Sequence, residues 1–183
     1  LGITPVGTVA GRGQSGVPAY LADEAGDIPV LGTIANPDYE AIAEVDPDLI
    51  LVDGTSVNSP EVLSVLARTA PTYMAGLAGG DWRITFENVA NALNRADEGE
   101  QVLEAYLTHV EEARAELGDR QDETFSIVRW QGGSASLILK ELPAGMALED
   151  LGLPRPANQD RRGRGHSEPV SLENLPDIDA DYL

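Results

Sequence analysis

ADEGEQVLEAYLTHVEEARAELG, residues 96–118, is the longest uninterrupted helical pattern in the chain, and its reading decides the fold. Val102, Leu103, Tyr106, Leu107, Val110, Ala113 and Leu117 recur at three- and four-residue steps, the spacing that lines one face of a helix. Glu100, Glu104, Glu111, Glu112 and Glu116 fill the opposite face. No Pro or Gly interrupts the pattern after Gly99, and Gly118 is a natural stop, because glycine enters the left-handed C-terminal turn without strain. A helix of this length spans roughly 30 Å, about the width of a small domain. It reads either as a strut between two lobes or as a long surface helix of one domain.

On its N-terminal side, strands are expected at residues 5–9, 28–31, 48–52 and 71–74, with helices at 17–22, 38–45 and 60–68 between them. Asn36-Pro37 and Ser59-Pro60 read as caps followed by the residue pre-set for the first helical position. Asp48-Leu49-Ile50-Leu51-Val52 is the continuous apolar run of a parallel strand covered on both faces. This alternation is an α/β layout with a parallel sheet. After the strut the pattern restarts, with strands at 124–130 and 135–140 and a helix at 146–151 that ends at Gly152. Residues 158–167 hold Arg161, Arg162 and Arg164 among glycines and read as a mobile loop. A helical turn at 171–175 and the start of a strand at Asp181-Tyr182-Leu183 close the chain. The expected division is an N-terminal lobe over 1–95, a connecting helix over 96–118 and a partial C-terminal lobe over 119–183. The second half holds too few elements for a closed core, so the sequence reads as a fragment of a longer two-lobed protein.

An internal echo supports two related lobes. Glu40 is followed by Ile42, Val45, Asp46 and Asp48, and Glu173 by Leu175, Ile178, Asp179 and Asp181, at the same offsets and each time before a strand.

The formal net charge of -19 argues against a nucleic-acid partner, because phosphate binding needs a basic surface. Lys140 is the one lysine among 12 basic residues, so an organised positive site must be built from arginine, the better residue for forked contacts to anionic oxygens. The absence of cysteine removes disulfides, thiol catalysis and zinc ribbons. No transmembrane run and no charged-then-apolar leader appears, which fits a cytosolic chain or a mature exported one.

Gly11, Gly13 and Gly16 form a literal GxGxxG after a strand, the fingerprint of a nucleotide-dependent α/β enzyme. The helix behind it is short and opens with Pro18, and Leu31-Gly32-Thr33-Ile34 stands where an acid would hold the ribose, so a plain loop is the better reading. His109 and His166 do not make a transition-metal site, and His109 reads as a solvent-side helix residue. No serine or carboxylate catalytic spacing is visible, and no cofactor is expected. What remains is a set of arginines and aromatics on loops beyond the carboxyl ends of strands, where α/β sheets bind ligands. Arg12 follows the first strand, Thr33 and Thr55 the second and third, and Trp82 with Arg83 the fourth. Arg129 with Trp130 closes the first strand after the strut. Each arginine taken alone also reads as a solvated surface charge.

Residues 1–7, LGITPVG, then Leu31-Gly32-Thr33, residues 36–43 (NPDYEAIA) and 47–51 (PDLIL) resemble the first lobe of the ABC-transporter substrate-binding proteins for ferric siderophores, cobalamin and haem. Asp81-Trp82-Arg83, residues 148–154 (LEDLGLP), residues 171–176 (SLENLP) and Asp179-Ala180-Asp181 are similar to later segments of that family. The resemblance implies two Rossmann-like lobes joined by one rigid helix, with a leader, an opening strand and the last part of the second lobe lying outside this sequence. It further implies an extracytoplasmic, non-enzymatic receptor, periplasmic or lipid-anchored to the outer face of the membrane. Such a receptor delivers a ferric siderophore to an ABC permease dimer, with cobalamin or haem as alternative cargo and iron entering only as a chelate. Arg83, Arg129, Trp130, Trp82, Arg12 and Thr55 are the ligand-binding candidates. The resemblance maps Glu40 and Glu173 onto the glutamates that dock with the permease. Their placement in a first helical turn is also explained by the helix dipole alone.

Overall fold

The computed structural model describes residues 1–11, 13–54, 57, 59–77, 79–163 and 167–183, and for Asp119 the backbone only. By its backbone contacts the chain forms two units, Leu1–Leu77 and Ala78–Leu183.

In the first unit, β1 (Thr8–Ala10) runs parallel to β2 (Val30–Thr33), and β3 (Asn36–Pro37) folds back antiparallel on β2. A four-residue helix, α1 (Ala22–Ala25), precedes β2, and α2 (Tyr39–Glu44) follows β3. β4 (Ile50–Asp53), α3 (Pro60–Leu66) and β5 (Thr72–Gly76) complete a strand-helix-strand unit in which β4 and β5 pair in parallel. Leu31, Ile42, Val57 and Leu66 form the core, with Ile50, Val52, Val62 and Met74 packed against it. The α/β layout with parallel pairing is therefore as expected, and so is the Ser59-Pro60 start. Ser59 Oγ accepts the Val62 N–H at 3.4 Å, and Pro60 opens α3.

Asn36-Pro37 behaves otherwise. These two residues are β3, and Asp38 caps α2 by accepting the Ala41 N–H at 3.0 Å. Gly32, at φ +89°, turns the chain so tightly that a Cβ there would lie 2.6 Å from the Asp38 nitrogen. The reversal brings Asn36-Pro37 beside Gly32-Thr33 before the helix begins. β4 is also covered less than its apolar run suggested. Ile50 and Val52 face the core, but Leu51 and its register partner Tyr73 are exposed.

In the second unit, α4 (Trp82–Ala92) packs on α5 (Ala96–Leu117), the helix expected from the opening stretch. The chain leaves α5 at Gly118, which takes a positive φ of 53°, and makes a 3-10 turn over Gly118–Asp122. The covered stripe of α5 is narrower than the apolar pattern. Gly99, Leu103, Tyr106, Val110, Ala113 and Leu117 are buried or half-buried, whereas Val102, Leu107 and His109 are exposed. No helix among the described residues is long and apolar enough to cross a membrane.

β6 (Val128–Gln131) and β7 (Ser134–Leu137) form an antiparallel hairpin, α6 (Pro143–Leu151) follows, and β8 (Glu168–Val170) pairs antiparallel with β7. The parallel sheet suggested for this half thus gives way to antiparallel strands, because the connection between β6 and β7 is too short for a crossover. Gly132 and Gly133, both at positive φ (58° and 80°), make the two-residue turn instead. Among the described residues of this unit, parallel pairing is limited to the bridge from Phe125 to Tyr182, whose rings stack at 4.9 Å. Asp181 secures it, accepting the Thr124 N–H and Oγ1–H, both at 2.7 Å. α6 ends at Gly152 in the left-handed conformation, as expected.

The echo is realised with different helices. Glu40 lies on α2, whereas Glu173 lies on a 3-10 turn, Leu172–Ile178, which contains Pro176 and a non-helical Asn174. Proline lacks the N–H that an α-helix would use there. The loop expected to be mobile is pinned over its described part. Gln159 is fully buried and donates from Nε2 to the Asp177 carbonyl at 3.0 Å. Arg164 and His166 lie outside the described residues.

The closest approach of α4 and α5 is at Gly99, where an added Cβ would lie 2.6 Å from the Ala90 Cβ. Alanine at a helical glycine gains about 1 kcal/mol of propensity, while overpacking a buried contact costs roughly 1–3 kcal/mol. Both carbons would be fixed to helical backbones, so the clash wins. Gly99→Ala is expected to lose about 1–2 kcal/mol in urea unfolding, and a gain in stability would contradict this packing.

Candidate ligand-binding site

Asp81-Trp82-Arg83 opens α4. Asp81 Oδ1 accepts the Arg83 N–H at 2.9 Å, so the cap itself occupies one of the first-turn donors on which an anion would rest. One residue into the helix, the Arg83 side chain folds back on the same carboxylate, Nε to Oδ1 at 3.0 Å and Nη2 to Oδ2 at 2.9 Å. Its Nη1 reaches Asp150 at the end of α6, 2.8 Å from Oδ1 and 3.0 Å from Oδ2. Tyr106, from the covered stripe of α5, donates its hydroxyl to Asp150 Oδ2 at 2.6 Å, and the Trp82 ring stands edge-on to the Tyr106 ring at 5.0 Å.

The electrostatics follow from these contacts. The hydrogen bond from Arg83 holds the Asp81 carboxyl below its ordinary range against the opposing effect of burial. The Arg83 guanidinium is held protonated even more firmly than usual, chiefly by Asp81 and further by Asp150. Burial, followed by the Asp150 hydrogen bond, pushes the Tyr106 phenol up to about 12, so it remains a donor at neutral pH. Arg83 was expected to present a free charge to an anion. Two carboxylates claim it instead.

Arg129 and Trp130 stand differently. They are consecutive on β6 and exposed, opposite Ser136 and Ala135 respectively on β7. Arg129 shares its strand face with Gln131, Ser134 and Ser136, and its Nη2 donates to Ser167 Oγ at 3.2 Å. Among the described residues no carboxylate forms an ion pair with Arg129.

Ser167 also lines a cleft of about 370 Å³ with Glu141, Arg161, Arg162, Gly163 and Glu168. Both cations that line it are engaged: Arg161 with Glu168 at 2.6 Å and Arg162 with Glu149 at 3.1 Å. Glu141 is buried and accepts the Gly163 N–H at 2.7 Å. A larger hollow of about 590 Å³ in the first unit is lined by Asp23, Glu24 and Asp27 and by no cation, the wrong field for an anion.

Arg12 and Thr55 lie outside the described residues. Thr33 serves the turn after β2, its Oγ1 accepting the Asn36 N–H at 3.1 Å. Tyr106 and Asp150 were not among the sequence candidates. Tyr106 carries the one polar tip on the apolar stripe of α5, and such a tip requires a partner when covered, which was the available signal. No group of three His, Asp or Glu side chains among the described residues is placed to hold a metal ion.

The family model described as periplasmic binding protein matches residues 5–183. The probable siderophore-binding lipoprotein YfiY of Bacillus subtilis is 34% identical over the whole of this chain, and the Fe(3+)-citrate-binding protein YfmC of the same organism is 28% identical over the same extent. This chain spans 57% of the length of each. The crystal structure of Staphylococcus aureus SirA complexed with staphyloferrin B superposes with a TM-score of 0.83 at 25% identity, over 98% of this chain and 63% of that one.

The Asp81 shift carries a pH signature. Its folded pKa lies below the unfolded value, so its contribution is fully present above the unfolded pKa and is lost as pH falls through the folded one. Urea unfolding should show the wild type ahead of Asp81→Asn by a constant margin from neutral pH down to about pH 5, shrinking below about pH 4. A margin that grows on acidification would mean that the pair does not form.

Proposed function

This chain belongs to the periplasmic binding protein family, and on that premise we propose that the full-length protein is an extracytoplasmic receptor that captures a ferric siderophore and passes it to an ABC permease, without catalysing a reaction. The observation that carries the reading is Arg129, exposed and free of any carboxylate among the described residues, while the next residue, Trp130, exposes its indole on the opposite face of the strand. Ferric siderophores commonly carry negative charge, which suits a guanidinium that no carboxylate claims. Long-range attraction is weak for a protein of net charge -19, so capture rests on this local patch. Relatives named for siderophore and Fe(3+)-citrate binding support a ferric chelate as cargo. Iron enters inside its chelator, and the protein supplies no resident cofactor.

The nucleotide-enzyme alternative has little local support. The glycine loop runs into a 3-10 turn, Ala19–Leu21, and a four-residue helix, too short to present a phosphate site. Haem and cobalamin remain the competing cargoes within the family reading.

Tryptophan fluorescence of the full-length protein, titrated with ferric citrate, a ferric catecholate, a ferric trihydroxamate, haem and cobalamin, separates these cargoes. Quenching by a ferric chelate is expected, and silence toward all of the probes would overturn the reading. Arg129→Ala should weaken an anionic chelate on the order of tenfold or more, the cost of one charge-assisted contact, and a neutral ligand far less.

Glu40 and Glu173 are both exposed in first helical turns, one in each unit. We propose them as the acids that meet basic pockets on the permease. The double change Glu40→Arg with Glu173→Arg should abolish uptake while the melting temperature and ligand affinity hold. Normal transport by the double variant would remove them from the docking surface.

A further inference from the structure

We infer that Arg83 is a positioning residue for the hairpin and not a ligand group: with Asp81, Tyr106 and Asp150 it clamps three helices together and thereby holds the strand that bears Arg129 and Trp130. The clamp itself is read from geometry alone, while its bearing on affinity rests on the assignment of Arg129 and Trp130 as ligand groups.

Asp150 accepts from two other helices at once, from Arg83 Nη1 on α4 and from the Tyr106 hydroxyl on α5. Its side chain is 16% exposed and that of Arg83 28%, so the pair is partly shielded from water. The Tyr106–Asp150 bond joins residues 44 apart in sequence, and β6, the diglycine turn and β7 all lie inside the loop it closes. α5 enters this loop and α6 leaves it, so a bond between those helices fixes both ends of the hairpin's support.

The mechanical path from the clamp to the strands is short. Asp150 is on α6, and at the start of α6 the Cα of Gly145 lies directly on the backbone of Leu139 and Lys140, so close that a Cβ would meet the Leu139 carbonyl. Leu139 is fully buried and stands two residues beyond the end of β7. β7 in turn pairs residue by residue with β6, Ser136 opposite Arg129 and Ala135 opposite Trp130. On the other side, the edge of the Trp82 ring backs the Tyr106 ring. A guanidinium is required for this bridge. Its planar fork addresses both carboxylates together, which an ammonium on a flexible stem does not reproduce.

Hydrogen exchange of the full-length protein without ligand tests the clamp. In Arg83→Met and Tyr106→Phe, amides of β6 and β7 should exchange about tenfold faster, the scale of one lost charge-assisted hydrogen bond, while β4 and β5 of the first unit keep their wild-type rates. Arg83→Lys should behave like Arg83→Met. Unchanged hairpin exchange, equal acceleration in both units or rescue by lysine would each overturn the inference. The second arm measures Arg83→Met with ferric citrate and with a ferric trihydroxamate. A loss that is no greater in the Arg83→Met/Arg129→Ala double variant than in Arg129→Ala alone supports a positioning role, and additive losses overturn it. If the wild type binds no chelate, the receptor reading fails, and the exchange result still decides the clamp.

Discussion

In a chain with 31 acidic and 12 basic residues, a guanidinium finds a carboxylate partner unless the fold keeps acids out of its reach. That constraint sorts the cations of the second unit. Arg83, Arg95, Arg114, Lys140, Arg161 and Arg162 sit in ion pairs, several of them surface pairs of small energetic value, while exposed Arg120 sits in none of the ion pairs among the described residues. Arg155 is buried, donates to the Ile138 carbonyl and has its charge disfavoured by desolvation. Arg129 escapes because its neighbours on the strand face are Gln131, Ser134 and Ser136, and the nearest partner from β8's approach is the neutral Ser167. The serines do more than their chemistry suggests, since they leave a positive charge uncommitted.

The same constraint explains which parts of the fold and site were legible in the sequence. Local signals with a single physical solution read correctly: the 3.6-residue period of α5, the Ser59-Pro60 cap, the Gly152 stop and the parallel β4–β5 unit. Signals with two solutions did not. Asn36 and Asp38 are both competent caps, and Gly32 decided between them through a reversal that a linear reading does not register. Gln131-Gly132-Gly133-Ser134 carries a hairpin turn, but the restart of a strand-rich pattern drew the reading toward a parallel sheet. At the candidate site, sequence had no means of telling a free guanidinium from a claimed one. The claimant of Arg83 lies 67 residues away.

Polarity misled in the opposite sense at residues 158–163. A run rich in Asn, Gln, Asp and Arg looked like a solvated loop, yet Gln159 is packed inside with its amide on the Asp177 carbonyl and near the Arg155 guanidinium. Burying such an amide is tolerable only when its hydrogen bonds are made, and the 3-10 turn at Leu172–Ile178 supplies the acceptor. Composition reports the need for partners, and tertiary structure decides whether the partner is water.

The two-residue turn at Gly132-Gly133 also sets how such a face is able to diverge between lineages. Strand side chains alternate, so inserting one residue into β6 or its turn would carry Arg129 to the Trp130 side and Trp130 to the Arg129 side. Length changes there exchange the two faces wholesale, whereas point substitutions at Arg129, Ser136 or Trp130 retune one contact at a time. The pattern of the two faces is therefore open to gradual drift by substitution and closed to drift by insertion.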